Sequence, residues 1–492
     1  MSLSSALDTA KSSLIASQTH TALVSRNIAN LNTEGATRKY ANVVTGIGGR
    51  VEVASIAQSQ NSVLFRNMLD SSSAVGAWST LASGYQRIDE VIGDTTLARS
   101  PAARISNLSD ALQAYASNPS SSEFARAALD AARDLTTSIT EVNATVETVR
   151  RDADNSLASA AEDMNRLLGE IEALNKKVVQ GTAAGTDVTD FVDKRDQAVT
   201  ALSEYVGVTA RIRGDNDLVL HTDSGVTLFD TKARLVEFTP TSPLQPGVSG
   251  NAFKIDGVTV TGASASMPLK SGAVVGLTTL RDEVAVTFQT QLDEIARALV
   301  LTFAESDQRA GGTLGSLPGL FTASGGSLDL AQLENGEGVA GLAGRLKIAD
   351  RAIETPTLIR DGGINVDPDH PGAFLYNSEG SAGFSTRILG LADALGGTRG
   401  FSAEAGIGTS ATLVDFAASS LGWLQAGRAG ALSETEYRTT IFQRTQETLS
   451  NETGVNLAEE MTLLTDLQRS YQAAAKLIST VDDMLATLLQ SV

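Results

Sequence analysis

Three histidines, one run of four charges, two acidic groups and one glycine cluster are the places where this sequence could hold chemistry. His20, His221 and His370 could bind a metal or shuttle a proton, but such a site needs partners at ligand spacing. They fall in three different regions with no such spacing between them. Asp193-Lys194-Arg195-Asp196 has the charge density of an active site, yet it reads as an ion-paired, mostly solvated turn. Asp215-Asn216-Asp217, and Asp361 with Asp367 and Asp369, could suggest calcium. Neither matches the spaced ligand loop that ends in a bidentate Glu, and turn residues account for both. Gly46-Ile47-Gly48-Gly49 looks like a phosphate loop but does not follow a clear strand and open a helix. The sequence carries no His-Glu-x-x-His, no P-loop and no Gly-x-Ser-x-Gly elbow. No catalytic residue, cofactor or metal ligand is therefore expected, and the chain reads as a protein that is not an enzyme.

The composition points the same way. A chain of 492 residues is too long for one core and implies several domains. A formal net charge of −19 argues against a nucleic-acid or anionic-membrane partner. No apolar run approaches the ~20 residues of a membrane-spanning helix, and the N-terminus lacks the pattern of a cleaved secretory signal. There is no cysteine, hence no disulfide framework or thiolate site. These features suit a cytosolic acidic protein and equally a substrate of an export route that threads unfolded chains without a signal peptide.

The elements that remain are long helices, and the two at the chain ends organise the rest. From Asn456 to Val492, Leu457, Met461, Leu464, Leu467, Tyr471, Ala474, Ile478, Val481, Leu485 and Leu488 recur at steps of three and four. That is one stripe on a helix in near-heptad phase, with Asn456 as N-cap and Glu459 completing a capping-box pattern. From Ser2 to Leu31, Leu3, Leu7, Ala10, Leu14, Ser17, Thr21, Val24, Ile28 and Leu31 make a softer seam of the same kind. Asn27, Asn30 and Asn32 suit the helix exit and the following turn.

Between these ends the pattern is nested. Residues 32–60 read as an extended, partly strand-like linker rich in glycine. Helices are expected from Val63 to about Ala98 and from Pro101 to Ser117. A long stripe from Phe124 to Val178 follows, ended by Gly181, and then a helix from Asp187 to Tyr205. At Gly207 the period changes to two, and turns at Gly214-Asp215-Asn216 and Asp223-Ser224-Gly225 mark a β domain to residue 270. A helix returns from Val274 to near Asp307. Residues 310–400 are Gly-rich and read as a second insertion of short strands and long loops. Two helices, Ala411 to Gly427 and Glu434 to Asn451, lead to the last one. The fold class is mainly α with inserted β domains, elongated, a helical bundle or coiled-coil rod whose N- and C-terminal helices pair at one end. The divisions are 1–60 (N-terminal helix plus linker), 61–206 (rod), 207–270 (β domain), 271–309 (returning helix), 310–400 (outer Gly-rich domain), 401–455 (last part of the rod) and 456–492 (C-terminal helix).

Asn27-Ile28-Ala29-Asn30-Leu31-Asn32-Thr33-Glu34-Gly35 resembles the N-terminal signature of bacterial flagellar axial proteins of the rod, hook and hook–filament junction. Asn456-Leu457-Ala458-Glu459-Glu460-Met461, with the stretch from Leu467 to Leu485, resembles their C-terminal signature. Asp193-Lys194-Arg195-Asp196 and Gly276 to Glu283 are similar to elements of the hook-associated protein 1 family, the first hook–filament junction proteins. Gly35-Ala36-Thr37-Arg38 resembles that family's continuation of the N-terminal motif, and the long helical middle separates the chain from hook proteins, which are mostly β there. Lys194 replaces a usual Gln, Glu34 a usual Pro and Ala36 a usual aromatic.

The resemblance implies an extracellular structural component of the flagellum that joins hook to filament. Its terminal helices would form an inner tube, as a ring or helical layer of identical copies. The expected assembly residues are Leu3, Leu7, Leu14, Val24, Ile28, Leu31, Leu457, Met461, Leu464, Leu467, Tyr471, Ile478, Val481, Leu485 and Leu488. The expected motif residues are Asn27, Ala29, Asn30, Asn32, Thr33, Gly35 and Arg38. Implied partners are the hook protein, a second junction protein, an export chaperone and the type III export apparatus. Hook protein itself, or a cytosolic coiled-coil scaffold, are the rival readings. Because isolated amphipathic helices are marginal in water, the termini are expected to be labile in the monomer and to fold on assembly.

Overall fold

The computed structural model describes residues 3–47, 49–92 and 99–490. The N-terminal seam forms α1 (Leu3–Ala29). The glycine-rich stretch after it is an antiparallel hairpin, β1 (Lys39–Thr45) and β2 (Val51–Gln58), with a bulge between Asn42 and Val43. This is more order than a linker has, because the hairpin lays one side along α1. Next come α2 (Ser62–Ile92), α3 (Pro101–Ser117), α4 (Ser122–Ala183) and α5 (Thr189–Tyr205). The end of the helix expected to run from Val63 to Ala98 lies outside the described residues. Helix α3 starts as its sequence directs, with the Ser100 hydroxyl accepting from the Ala103 N–H and Pro101 in the first turn.

Helix α4 is the spine, 62 residues without a break. Its stripe buries Leu135, Ile139, Val146, Leu157, Met164, Ile171 and Val178. The stripe serves two cores in turn. Its N-terminal half packs with α3 and the returning helix, and its C-terminal half packs with α5 and the β insertion. That insertion holds a four-stranded meander, β3 (Val208–Ile212), β4 (Leu218–Thr222), β5 (Thr227–Asp230) and β6 (Lys232–Ala233). A three-stranded sheet follows, β7 (Val236–Glu237), β8 (Lys254–Ile255) and β9 (Val258–Thr259). Asp256 and Gly257, both at positive φ, close the β8–β9 hairpin.

The helix expected from Val274 is α6 (Ala273–Thr279) and α7 (Ala285–Thr302), joined by a π turn at Leu280–Val284. Residues 310–400 contain the pair β10 (Phe321–Ala323) and β11 (Leu346–Ile348). They also contain four one-turn helices, α8 (Leu330–Glu334), α9 (Leu342–Arg345), α10 (Asp350–Glu354) and α11 (Leu358–Asp361), and then α12 (Thr386–Gly396). Phe321, Leu330, Leu342, Ile348 and Ile388 share one core with α4 and α7. The region is thus seated on the rod by apolar packing.

After β12 (Arg399–Gly400) and β13 (Ser410–Ala411), the two helices expected before the C-terminal one are a single helix, α13 (Leu413–Thr453). Gly427 does not break it. A Cβ there would lie 2.6 Å from the Tyr85 ring of α2, so glycine permits a close α2–α13 approach. Helix α14 (Leu457–Gln490) completes the chain. Among the described residues no helix is long and apolar enough to cross a membrane, and no group of three or more His, Cys, Asp or Glu is placed to hold a metal.

One joint between the rod and the 310–400 region titrates. Asp293 of α7 accepts from the Gly341 and Ala343 N–H groups, both at 2.7 Å. Burial pushes its carboxyl up to about 7, against the pull of those two bonds. The folded state then holds a proton that the unfolded chain, with an Asp pKa of about 3.9, releases. Stability is therefore fully present below about pH 4 and is lost as pH rises towards about 7, with a limiting slope of about 1.4 kcal/mol per pH unit. Asp196 is pushed the same way by burial, to about 6, although its side chain keeps 28% exposure and water weakens the effect. The urea midpoint should fall between pH 5 and pH 7.5, and the fall should be flatter in Asp293→Asn; equal slopes in the two proteins would refute the assignment.

Candidate assembly interface

Helices α1 and α14 pack on each other, and the β1–β2 hairpin lies against another side of α1. The Val51 N–H donates to the Ser12 hydroxyl at 3.0 Å, so the hairpin tip reaches the first turns of the helix. On α1, Val24 is buried, as are Ala10, Ser17 and Leu23, while Leu3, Leu7, Leu14 and Ile28 are half-buried. Leu31 lies beyond the helix end, exposed. On α14, Ala474 and Val481 are buried, and Leu464, Leu467, Ile478 and Leu485 are half-buried.

The remaining stripe residues are not covered. Leu457, Met461, Tyr471 and Leu488 are exposed by 42–51%. Leu477 and Met484, which the stripe omitted, are exposed by 57% and 51%. At 3.6 residues per turn, Leu467, Ala474 and Val481 point within about 40° of one another, whereas Leu457 and Met461 lie about 100–140° from Ala474. One partner helix covers only the centre of so wide a band, so α14 keeps an apolar flank on each side of its contact with α1. The Asn456 side chain caps the helix as expected, accepting from the Ala458 and Glu459 N–H groups. The Glu459 carboxylate lies 3.7 Å from Arg38, which replaces the expected capping-box role.

The motif residues do something different from what their spacing suggested. Asn27 does not cap α1; it is buried inside the helix. Its amide donates to the Lys39 carbonyl at 2.9 Å and accepts from the Lys39 N–H at 3.0 Å, tying the hairpin to the helix. Asn30 and Thr33 form the turn after α1 through the Thr33 N–H to the Asn30 carbonyl, and Ala29 and Asn32 stand exposed beside it. Neither Asn30 nor Asn32 adopts the left-handed conformation; Gly35 does, with φ of 73°. A Cβ on Gly35 would also lie 2.9 Å from Gln197, whose amide donates to the Glu34 carbonyl.

Arg38 joins three segments. Its N–H donates to the Thr453 carbonyl, its carbonyl accepts from the Ser59 N–H, and its Nε donates to the Glu460 carboxylate at 2.7 Å. Glu460 is fully buried. The run Asp193-Lys194-Arg195-Asp196 sits on α5 and is not a solvated turn. Arg195 is fully buried and donates to the Asn175 side chain and the Asn216 carbonyl. Asp193 pairs with the Lys39 ammonium and accepts from the Thr37 hydroxyl and N–H. Burial lowers the Lys39 pKa in spite of the Asp193 carboxylate. Arg26 pairs with Asp187 at 2.8 Å, and although burial pushes the Asp187 carboxyl up, bonds from Thr189 and Arg26 hold it below the usual range. Sequence alone did not single out Arg26 or Lys39, and it gave Asp193 and Glu460 no partner from another segment. The density of motif residues between Asn27 and Arg38 was the available signal, and it reports a joint.

Three family descriptions match this chain. The family described as flagellar hook-associated protein FlgK helical domain matches residues 85–343, which is more than half of the chain. Flagella basal body rod protein matches residues 7–37, and flagellar basal body rod FlgEFG protein C-terminal matches residues 446–491. The chain is 21% identical to flagellar hook-associated protein 1 of Bacillus subtilis, over 97% of this chain and 96% of that one. It is 24% identical to the same-named protein of Salmonella typhimurium, over 61% of this chain and 56% of the relative's length. A solved hook junction protein FlgK from Burkholderia pseudomallei aligns with a TM-score of 0.43 at 18% identity, covering 53% of this chain and 47% of that one. The two terminal matches fall on α1 with the turn after it and on α13–α14, and the central match covers the rod, its β insertion and the first part of the 310–400 region. The chain belongs to the flagellar hook-associated protein FlgK family, structural components of the hook–filament junction.

Proposed function

We propose that the α1–α14 pair is the surface through which copies of this chain form a junction layer between hook and filament. The observation that carries this is the apolar flank left on α14 after α1 is seated, chiefly Leu457, Met461, Tyr471, Leu477 and Met484. Each such side chain gains ~1.5–3 kcal/mol on full burial, and exposed apolar flanks of this kind on both sides of the α1 contact mark an interaction surface. On this reading the α1 seam supplies the other half of each contact, the hook protein and a second junction protein are the axial neighbours, and a chaperone shields α14 before export without a cleaved signal. The seven divisions of the chain given above follow the same logic, with the terminal segments 1–60 and 456–492 assembling and the rod and insertions facing outward.

Deleting residues 457–490 tests this. The expected result is soluble protein, cells whose filaments detach into the medium, and loss of motility. Normal filaments and motility would show that the helix is dispensable and that the assembly surface lies elsewhere.

A further inference from the structure

The apolar cores stop short of the terminal module. Among the described residues, the three buried clusters contain no residue of 3–58 and none of 457–490. What crosses from the module to the rod is polar. Arg26 reaches Asp187 at 2.8 Å and Asp190 at 3.6 Å on the entry to α5. Lys39 pairs with Asp193, which also accepts from the Thr37 hydroxyl and N–H, and the Arg38 N–H donates to the Thr453 carbonyl at the end of α13. Glu34 is held by Gln197 and Gln446.

These contacts differ in burial. The Lys39 and Asp193 side chains are 3% and 10% exposed. Arg26 and Asp187 are 27% and 24% exposed, and Asp190 56%. Salt screens exposed pairs and leaves buried ones largely intact. The joint therefore has two classes of contact, an inner pair that persists at any ionic strength and an outer set that does not.

We propose that the α1–α14–hairpin module is carried on an ionic joint, in which Lys39–Asp193 is the pivot and Arg26 with Asp187 and Asp190 is a salt-sensitive latch that sets the angle of the module on the rod. Apolar packing would fix one angle, since interdigitated side chains have one best fit. A polar joint lets identical chains meet neighbours at different angles and lets the medium tune that freedom. The inference concerns the chain itself and stands whether or not α14 is the assembly surface.

The absence of cysteine makes the test direct. Exposed Gln18 on α1 and exposed Ala173 on α4 are replaced by Cys in the full-length chain and spin-labelled, and the distance distribution is read by pulsed electron resonance. The expected result is a narrow distribution at about 0.01 M salt that broadens about two-fold at about 1 M, where the screening length falls about ten-fold. Arg26→Gln should be broad already at low salt. Arg87→Gln removes the Arg87–Asp152 pair, which lies wholly within the rod, and should match the unmutated chain at both salts. A width that ignores salt, or an Arg26→Gln distribution identical to the parent's, overturns the latch.

Discussion

Replacing Arg281 with Ala should destabilise the seat of the β insertion by about 3–5 kcal/mol, the range for breaking a buried charge network by removing one partner. Arg281 lies in the π turn and is 1% exposed. Its guanidinium pairs with Asp154 of α4 and with Asp282 at 2.7 Å, and it donates to the Asn251 carbonyl at 2.9 Å. The two carboxylates in turn fix loop backbone, since Asp154 accepts from the Thr241 N–H at 2.6 Å and Asp282 from the Gly250 N–H at 2.9 Å. Arg150, also buried, donates to the Arg281, Gln245 and Val248 carbonyls. Two arginines and two carboxylates thus hold the loop from Thr239 to Asn251 on the spine. Without Arg281, two buried carboxylates face a single remaining cation. Hydrogen exchange at Thr241 and Gly250 should speed up by two to four orders of magnitude, as those free energies imply at about 1.4 kcal/mol per factor of ten. Arg87→Ala, at a pair exposed on both sides, should change stability by about 0.5 kcal/mol or less. A loss below about 1 kcal/mol for Arg281→Ala would mean that the network contributes nothing beyond surface pairing.

Asp193→Ala should loosen the terminal module by a comparable amount, about 3 kcal/mol or more. The variant strips the Lys39 ammonium of its carboxylate in a place where burial already lowers its pKa. It also frees the Thr37 N–H and hydroxyl that Asp193 binds. Removing both charged partners avoids the cost of leaving one buried alone. Adding Lys39→Met to Asp193→Ala should therefore recover part of the loss, and Lys39 amide exchange, which reports the Asn27 clamp, should slow accordingly. If the double variant is as unstable as the sum of the two single ones, the two side chains do not act as a pair.

Much of this was legible in the residues. The stripe from Phe124 to Val178 predicted α4 because 3.6-residue periodicity over many turns admits one geometry. The change to period two at Gly207 located the β insertion for the same reason. The terminal seams and the motif around Asn27 pointed to the flagellar axial group, and the family match bears that out. What failed was local chemistry read without neighbours. Gly427 looked like a helix end and is a contact point for Tyr85. Asn27 looked like a cap and is a clamp on Lys39. The Asp193 run looked solvated and is a joint, because charge density in a sequence does not reveal which partners arrive from other segments.

The sequence by itself determined the helices, their apolar faces and the family, since periodicity and motif order are properties of the chain alone. Only the tertiary structure decided how much of each face is used. Helix α14 carries more apolar surface than α1 can cover, so Ala474 and Val481 are buried while Leu457, Met461 and Tyr471 are left outside. A stripe records that a helix wants a partner; the width of the one it meets sets what remains for the next.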